Sequence, residues 1–223
     1  MQQMIFQDRA DAGRQLAAKL SRYAHPDTRV LALPRGGVPV ALEVARALRA
    51  PLDVFIVRKL GAPGREELAL GAIASGGVCV VNEETVGMLE VDREQIDAIV
   101  RREARELQRR EQVYRGGLPA HDVAGRTVIL VDDGLATGAS MYAAILALRR
   151  RTPRSIVVAI PVAPPDTVAA LRRHVDDIVV VATPQPFRGV GAWYADFRQV
   201  DDDEVRSLLL ESVRLEGLAD GRA

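Results

Sequence analysis

Two adjacent carboxylates, Asp132 and Asp133, stand between an apolar run and a run of small residues. Upstream, Thr127 to Val131 is short and rich in β-branched residues, the composition of a strand buried on both faces. Downstream, Ala136, Thr137, Gly138, Ala139 and Ser140 precede a helical pattern carried by Met141, Ile145, Leu146 and Leu148. Small side chains let backbone N–H groups converge on one point. The helix dipole places partial positive charge there, and Thr137 and Ser140 add hydroxyl donors, which together suit a phosphate dianion. The two carboxylates would repel that phosphate, so they must serve another part of the ligand. A sugar diol or a hydrated Mg²⁺ suits their oxygens. A ligand with a terminal phosphate and a nearby diol is a ribose 5-phosphate.

A second cluster follows an earlier strand. Arg29 to Leu33 runs into Pro34-Arg35-Gly36-Gly37, and Pro39 opens a helix with Val40, Leu42, Val44, Ala45 and Leu48. The two glycines permit a backbone conformation closed to other residues, and with Arg35 beside them they read as a second anion site, the alternative being an ordinary βα turn whose glycines need no ligand. A third strand, Leu52 to Val57, ends at Arg58-Lys59 and leads into LGAPGREELALG, where Gly61, Pro63 and Gly64 break any helix. A glycine-rich segment beside two cations reads as a mobile lid, the alternative being a surface hairpin with solvated charges. Glu66 and Glu67 are the nearest carboxylates on it for handling a base proton, and nothing in the sequence chooses between them.

The segment VILVDDGLATGAS resembles the phosphoribosyl-pyrophosphate (PRPP) signature of the type I phosphoribosyltransferases: an apolar strand, two acidic residues, and a small-residue loop containing Thr-Gly. The resemblance implies that Ala136 to Ser140 hold the 5′-phosphate, and that Asp132 and Asp133 face the ribose hydroxyls, directly or through Mg²⁺. It implies that Arg35, Gly36 and Gly37 belong to the pyrophosphate loop, which in this family often contains a cis non-proline peptide. Pro34–Arg35 or Arg35–Gly36 is the candidate bond. It also implies that Arg58 and Lys59 contact pyrophosphate, with Gly61 to Glu67 closing over the site. Family members acting on 6-oxopurines commonly carry an Asp where this chain has Ala136, which points away from hypoxanthine or guanine as acceptor.

The positioning elements alternate between strands and helices. Helices are expected from about Asp8 to Tyr23, from Asp92 to about Tyr114 and from about Asp166 to Arg173. Strands are expected at Ala69 to Ala74, Val78 to Val81, Ser155 to Ile160 and Asp177 to Val181. Interleaving of this kind predicts an α/β fold, a parallel sheet with helices on both faces. No internal repeat or second composition regime appears, so one domain over 1–223 is expected, with its core at about 25–182. The helix from Asp92 has a narrow stripe of Ile96, Val100, Ala104 and Leu107, with Asp97–Arg101 and Glu106–Arg110 at favourable spacing. It is expected on the surface or crossing to a partner subunit.

The aromatic residues gather near the C-terminal end: Phe187, Trp193, Tyr194 and Phe197 lie within FRGVGAWYADF, in a chain that is 4% aromatic. Such rings either stack a flat heterocycle or pack a satellite core. The stretch resembles the family's base-binding hood, with the spacing from Gly191 to Asp196 one residue longer than in the 6-oxopurine enzymes. The resemblance implies a small hood from about 183–200 plus the terminal helices, in which Trp193 or Tyr194 stacks on the base and Asp196 contacts it. The acidic run from Asp201 to Glu204 reads as a helix start with a capping box, not as a metal site.

Thirty basic and thirty acidic residues leave no net charge, which argues against general nucleic-acid binding. A single cysteine, Cys79, leaves no disulfide framework, and the three histidines have no ligand spacing. No run is long enough to span a membrane and the N-terminus has no signal-peptide core, so a cytoplasmic protein is expected. Nucleotide-triphosphatase, dinucleotide, serine-hydrolase and zinc-protease motifs do not occur. The activity that the resemblance implies is transfer of the phosphoribosyl group of PRPP to a nucleobase-like acceptor, with Mg²⁺ as cofactor, pyrophosphate as product and a homodimer as the plausible assembly. The rival is a regulator that senses PRPP or a nucleotide without turnover.

Overall fold

The computed structural model describes residues 4–219, and the side chains of Glu66, Glu67 and 216–219 lie outside that description. The chain begins with α1 (Arg9–Lys19), whose N-cap Asp8 accepts a hydrogen bond from the Asp11 N–H at 2.7 Å. The helix expected to reach Tyr23 stops at Lys19 and tightens into a 3₁₀ turn at Ser21–Tyr23. Then come β1 (Thr28–Ala32), α2 (Gly37–Leu48) and β2 (Leu52–Val54). The hairpin strands β3 (Val57–Ala62), β4 (Arg65–Ala74) and β5 (Val78–Val81) lead to the short helix α3 (Glu83–Met88). The long helix α4 (Arg93–Arg115) opens with a complete capping box between Asp92 and Gln95. The remainder runs β6 (Thr127–Val131), α5 (Ala139–Arg149), β7 (Ser155–Val162), α6 (Pro165–Arg172), β8 (Asp177–Ala182) and α7 (Asp202–Ala219).

Five strands form a parallel sheet in the order β2-β1-β6-β7-β8. Every residue of β6 is buried, because β6 lies at the sheet centre with helices on both faces. Alternate residues feed opposite cores. Val30, Ile129 and Val131 join one with Leu16, Val40, Leu107 and Leu209. Leu31, Val128 and Leu130 join the other with Met141, Ile145 and Leu171. The α/β fold class expected from the alternation of elements is the one observed.

A second sheet, antiparallel, has the order β3-β4-β5. The strand expected at Leu52 to Val57 is therefore two: β2 closes the parallel sheet, and Val57 begins the hairpin that carries Arg58 and Lys59. The segment expected as a lid is the tip of this hairpin, with its turn at Pro63-Gly64 and Gly64 at φ +68°. Helix α4 lies on the surface with one inner face packed. Its buried residues are Ile99, Glu103, Leu107 and Tyr114, and it packs on α7 and β3.

Helix α1 lies close against α2. A Cβ on Gly13 would stand 2.6 Å from the Val40 carbonyl oxygen, so only glycine permits this approach. The approach carries the first turn of α1 toward the carboxyl ends of the central strands. Among the described residues no helix is long and apolar enough to cross a membrane.

Candidate active site

Strands β1 and β6 are neighbours in register, with Ala32 opposite Val131. The loops that follow them emerge side by side at the carboxyl end of the sheet, where ligands of open α/β sheets sit. The Leu33 N–H donates to the Val131 carbonyl at 2.8 Å and extends the pairing one step beyond the strands.

The glycines expected to supply an unusual backbone do something different. Gly36 has φ −60° and ψ −32°, open to any residue. A Cβ on Gly36 would instead fall 2.0 Å from Asp133 Oδ2, and one on Gly37 would fall 2.8 Å from the Val131 carbonyl oxygen and 2.9 Å from Asp132 Cα. Both glycines serve close approach between the Arg35 loop and the acid pair. The peptide bond between Pro34 and Arg35 is cis. Arg35 is half-buried, and its Nη1 stands 3.6 Å from Asp202 Oδ1 at the start of α7. Asp202 also accepts the Tyr114 hydroxyl at 2.8 Å. Burial, with that carboxylate beside it, pushes the Tyr114 phenol up to about 12.

Asp132 Oδ1 accepts the Asp133 N–H at 2.8 Å. Asp133 Oδ2 receives Nε of Arg9 at 2.8 Å and Nη2 of Arg9 at 2.8 Å. Burial raises both carboxyls above the ordinary range, and the charge of Asp133 raises Asp132 further. The Arg9 guanidinium opposes the shift at both. Below them, the Tyr194 hydroxyl donates to the Asp133 carbonyl oxygen at 2.5 Å.

The loop after the acids is open. Ala136, Thr137, Ala139 and Ser140 are exposed, while Gly138 is buried and left-handed at φ +74°. Gly138 is the N-cap of α5 with no side-chain cap bond; the Ala139 N–H reaches the Thr137 hydroxyl only at 3.4 Å, so the first turn can turn to a ligand. Thr167 on α6 braces this loop. Its hydroxyl donates to the Ala136 carbonyl at 2.8 Å, and its methyl would lie 2.9 Å from a Cβ at position 138.

Other expected site residues are placed differently. Trp193 and Tyr194 are only 5% and 3% exposed, packed with Phe6, Ala12 and Val162. Neither ring offers a face for stacking a base, because the two rings pack with Phe6 and Val162 into a small core of their own. Tyr194 stands 5.1 Å from Phe6 and 5.0 Å from Phe197 between ring centroids. Asp196 is exposed; its Oδ1 accepts the Arg198 N–H at 3.0 Å, and its own N–H donates to the Gln7 carbonyl. Arg58 turns to α4, with Nε and Nη2 2.8 and 2.5 Å from Glu103 Oε2. Burial would raise the Glu103 carboxyl, but Arg58 and Arg102 outweigh it and hold it below the usual range. Lys59 is exposed on β3. The Glu66 and Glu67 side chains, considered for proton transfer, lie outside the description. At the start of α7, Asp201 accepts the Glu204 N–H at 2.7 Å, but the Glu204 carboxylate turns to Arg198 at 2.7 and 2.8 Å, so only half of the capping box forms.

Sequence reasoning missed Arg9, Thr167 and Glu103. Arg9 left a legible trace: with Gly13, Leu16 and Leu20 it follows the i, i+4, i+7, i+11 spacing of the buried stripe, where a cation needs a partner. Glu103 sits likewise on the inner face of α4. Thr167 left none, since its contact joins segments brought together only by the sheet.

As a metal site the pair is incomplete. Among the described residues no three His, Cys, Asp or Glu groups gather around one point. Two carboxylates fit a Mg²⁺ ion whose remaining ligands are substrate and water oxygens.

A family model described as phosphoribosyl transferase domain matches residues 1–188. Two Mycobacterium tuberculosis proteins, each named "Putative phosphoribosyl transferase" and distinguished as MT0597 (strain CDC 1551) and Rv0571c (strain H37Rv), are each 46% identical over 205 residues, covering 92% of this chain and 46% of theirs. The chain thus spans about half the length of these curated relatives. The crystal structure of TT1426 from Thermus thermophilus superposes with a TM-score of 0.84 at 44% identity, covering 93% of this chain and 99% of that one.

Proposed function

This chain belongs to the phosphoribosyl transferase family, and from that premise we propose that it transfers the ribose 5-phosphate group of PRPP to a nitrogenous base, releasing pyrophosphate. The observation that carries the reading is the junction of the half-buried acid pair with an exposed helix start on one side and the Arg35 loop on the other. Ala136 to Ser140 anchor the 5′-phosphate through backbone N–H groups and the hydroxyls of Thr137 and Ser140. Asp132 and Asp133 hold the ribose hydroxyls and favour the positive charge that develops on the sugar in an oxocarbenium-like transition state. Arg35 and the backbone around Gly36 and Gly37 receive pyrophosphate, with Lys59 as a further cation. Asp132 or Asp133 would hold a Mg²⁺ ion arriving with the substrate, which would supply charge neutralisation for the leaving pyrophosphate. Ala136 places no carboxylate beside the base, which favours acceptors other than 6-oxopurines.

The test is pyrophosphate release from Mg-PRPP across a panel of purines, pyrimidines and amines. Turnover with one class supports the reading. A second reading, a PRPP or nucleotide sensor on the same fold, is favoured by one observation: Arg58 is already paired with Glu103. Tight PRPP binding without turnover on any acceptor would select the sensor.

A further inference from the structure

Arg9 opens α1, and its side chain is 10% exposed. Each of the three nitrogens of its guanidinium is engaged. Nε and Nη2 meet Asp133 Oδ2, each at 2.8 Å, and Nη1 donates to the Arg198 carbonyl at 2.7 Å. The guanidinium carbon lies 4.0 Å from the centroid of the Phe197 ring, a cation–π distance. The guanidinium brings a delocalised positive charge against the Asp133 carboxylate. Both of its contacts with Asp133 fall on Oδ2, so Arg9 itself leaves Oδ1 unengaged.

A divalent ion at Asp133 would neutralise the carboxylate and aim it. Arg9 does both already. Its planar fork fixes the carboxylate, and its own position is fixed from behind by Phe197 and the Arg198 carbonyl. Without it, Asp133 would stand half-buried beside Asp132 with no counter-charge, an arrangement that is unfavourable unless a cation arrives.

We propose that Arg9 is a positioning residue that serves as the built-in counter-cation of Asp133, so that the ribose 5-phosphate portion of the substrate binds the acid pair without a divalent ion, and any need for Mg²⁺ is confined to the pyrophosphate portion. The inference rests on the phosphoribosyl-transfer reading of the site. A purely structural Arg9 would lower stability on replacement but leave the ion dependence of binding in the folded protein unchanged.

The experiment is calorimetry of the full chain with ribose 5-phosphate, in EDTA and in excess Mg²⁺. The wild type is expected to bind equally in both. Arg9→Gln is expected to bind at least about tenfold more weakly in EDTA, with Mg²⁺ restoring part of the loss, because Asp133 is then uncompensated. Arg9→Lys, which keeps the charge, is expected to recover binding in EDTA. Should Arg9→Gln not fold, the wild type and Arg9→Lys decide alone. Ribose 5-phosphate binding by the wild type only when Mg²⁺ is present, or not at all, overturns the proposal, as does an Arg9→Gln protein that binds like wild type in EDTA. Mg-PRPP serves as the control: its failure to bind the wild type overturns the functional reading itself, whereas PRPP binding alongside an ion-dependent ribose 5-phosphate overturns only the role of Arg9.

Discussion

Ala136, Thr137, Ala139 and Ser140 lie exposed at the mouth of the parallel sheet, whereas Trp193 and Tyr194 turn inward against Phe6 and Val162. Both segments have the composition of a ligand site, one by small residues before a helix and the other by clustered rings. They differ in what carries the chemistry. In the first it is the backbone N–H groups at a helix start, which have no intrahelical partner and remain available after folding. In the second it is apolar area, about 150–250 Å² per ring, which folding itself consumes when the rings find a neighbouring segment to cover them. Main-chain binding chemistry therefore survives the formation of the core, and aromatic binding chemistry survives only where the core has been filled by something else.

The sharpest way to break this contrast is Trp193→Ala. It should cost about 3–5 kcal/mol in urea unfolding, as for other buried aromatic truncations, while the folded variant keeps its affinity for Mg-PRPP. Intact stability with lost affinity would put the ring in the site instead. Next in size is Gly36→Ala, at the narrow contact between the two loops. Its Cβ would stand 2.0 Å from Asp133 Oδ2, and the forced displacement should lower pyrophosphate release by about a hundredfold in a steady-state assay. Thr137→Val removes one hydroxyl from the open loop and should weaken PRPP binding by about tenfold in calorimetry, the scale of one hydrogen bond to a charged group.

Tyr194→Phe tests the joint between the two regions. It deletes the hydroxyl that donates to the Asp133 carbonyl and should cost about 1 kcal/mol of stability, read by thermal unfolding. The smallest effect serves as a baseline outside both regions. Arg109 and Arg110 hold the Glu106 carboxyl down at about 2. Because the folded value is depressed, the stabilisation is present above the unfolded value of about 4.3 and is lost as pH falls through about 2. For a solvent-facing pair it amounts to less than about 1 kcal/mol, so Glu106→Gln should melt slightly below wild type at pH 7 and match it near pH 2. A gap that persists at pH 2 would show that Glu106 acts by packing.

Much of the frame was legible. The run from Thr127 to Val131 is a fully buried central strand, and Pro39 falls in the first turn of α2, because hydrophobic periodicity and proline geometry act over a few neighbouring residues. The hairpin was half legible: Ala69 to Ala74 and Val78 to Val81 are paired strands, but Arg58 and Lys59 lie within a third strand that pairs across the Pro63-Gly64 turn. The reason for Gly36 and Gly37 was not legible. The dihedrals of Gly36 are ordinary, and the demand comes from Asp132 and Asp133 nearly a hundred positions away in the chain.

The order of residues along the chain by itself determined the alternation of strands and helices, the acid pair at a strand end and the small-residue helix start beside it, since each depends on contacts between near neighbours. Tertiary structure decided which charges meet. It brought Arg9 of the first helix to Asp133, gave Arg58 to Glu103, and folded Trp193 and Tyr194 against the N-terminal segment. These outcomes belong to the fold because burial makes a charge seek whichever opposite charge the packed elements deliver, and the identity of that partner is set by the crossing of α1 over α2 and of α4 over β3 rather than by any local spacing.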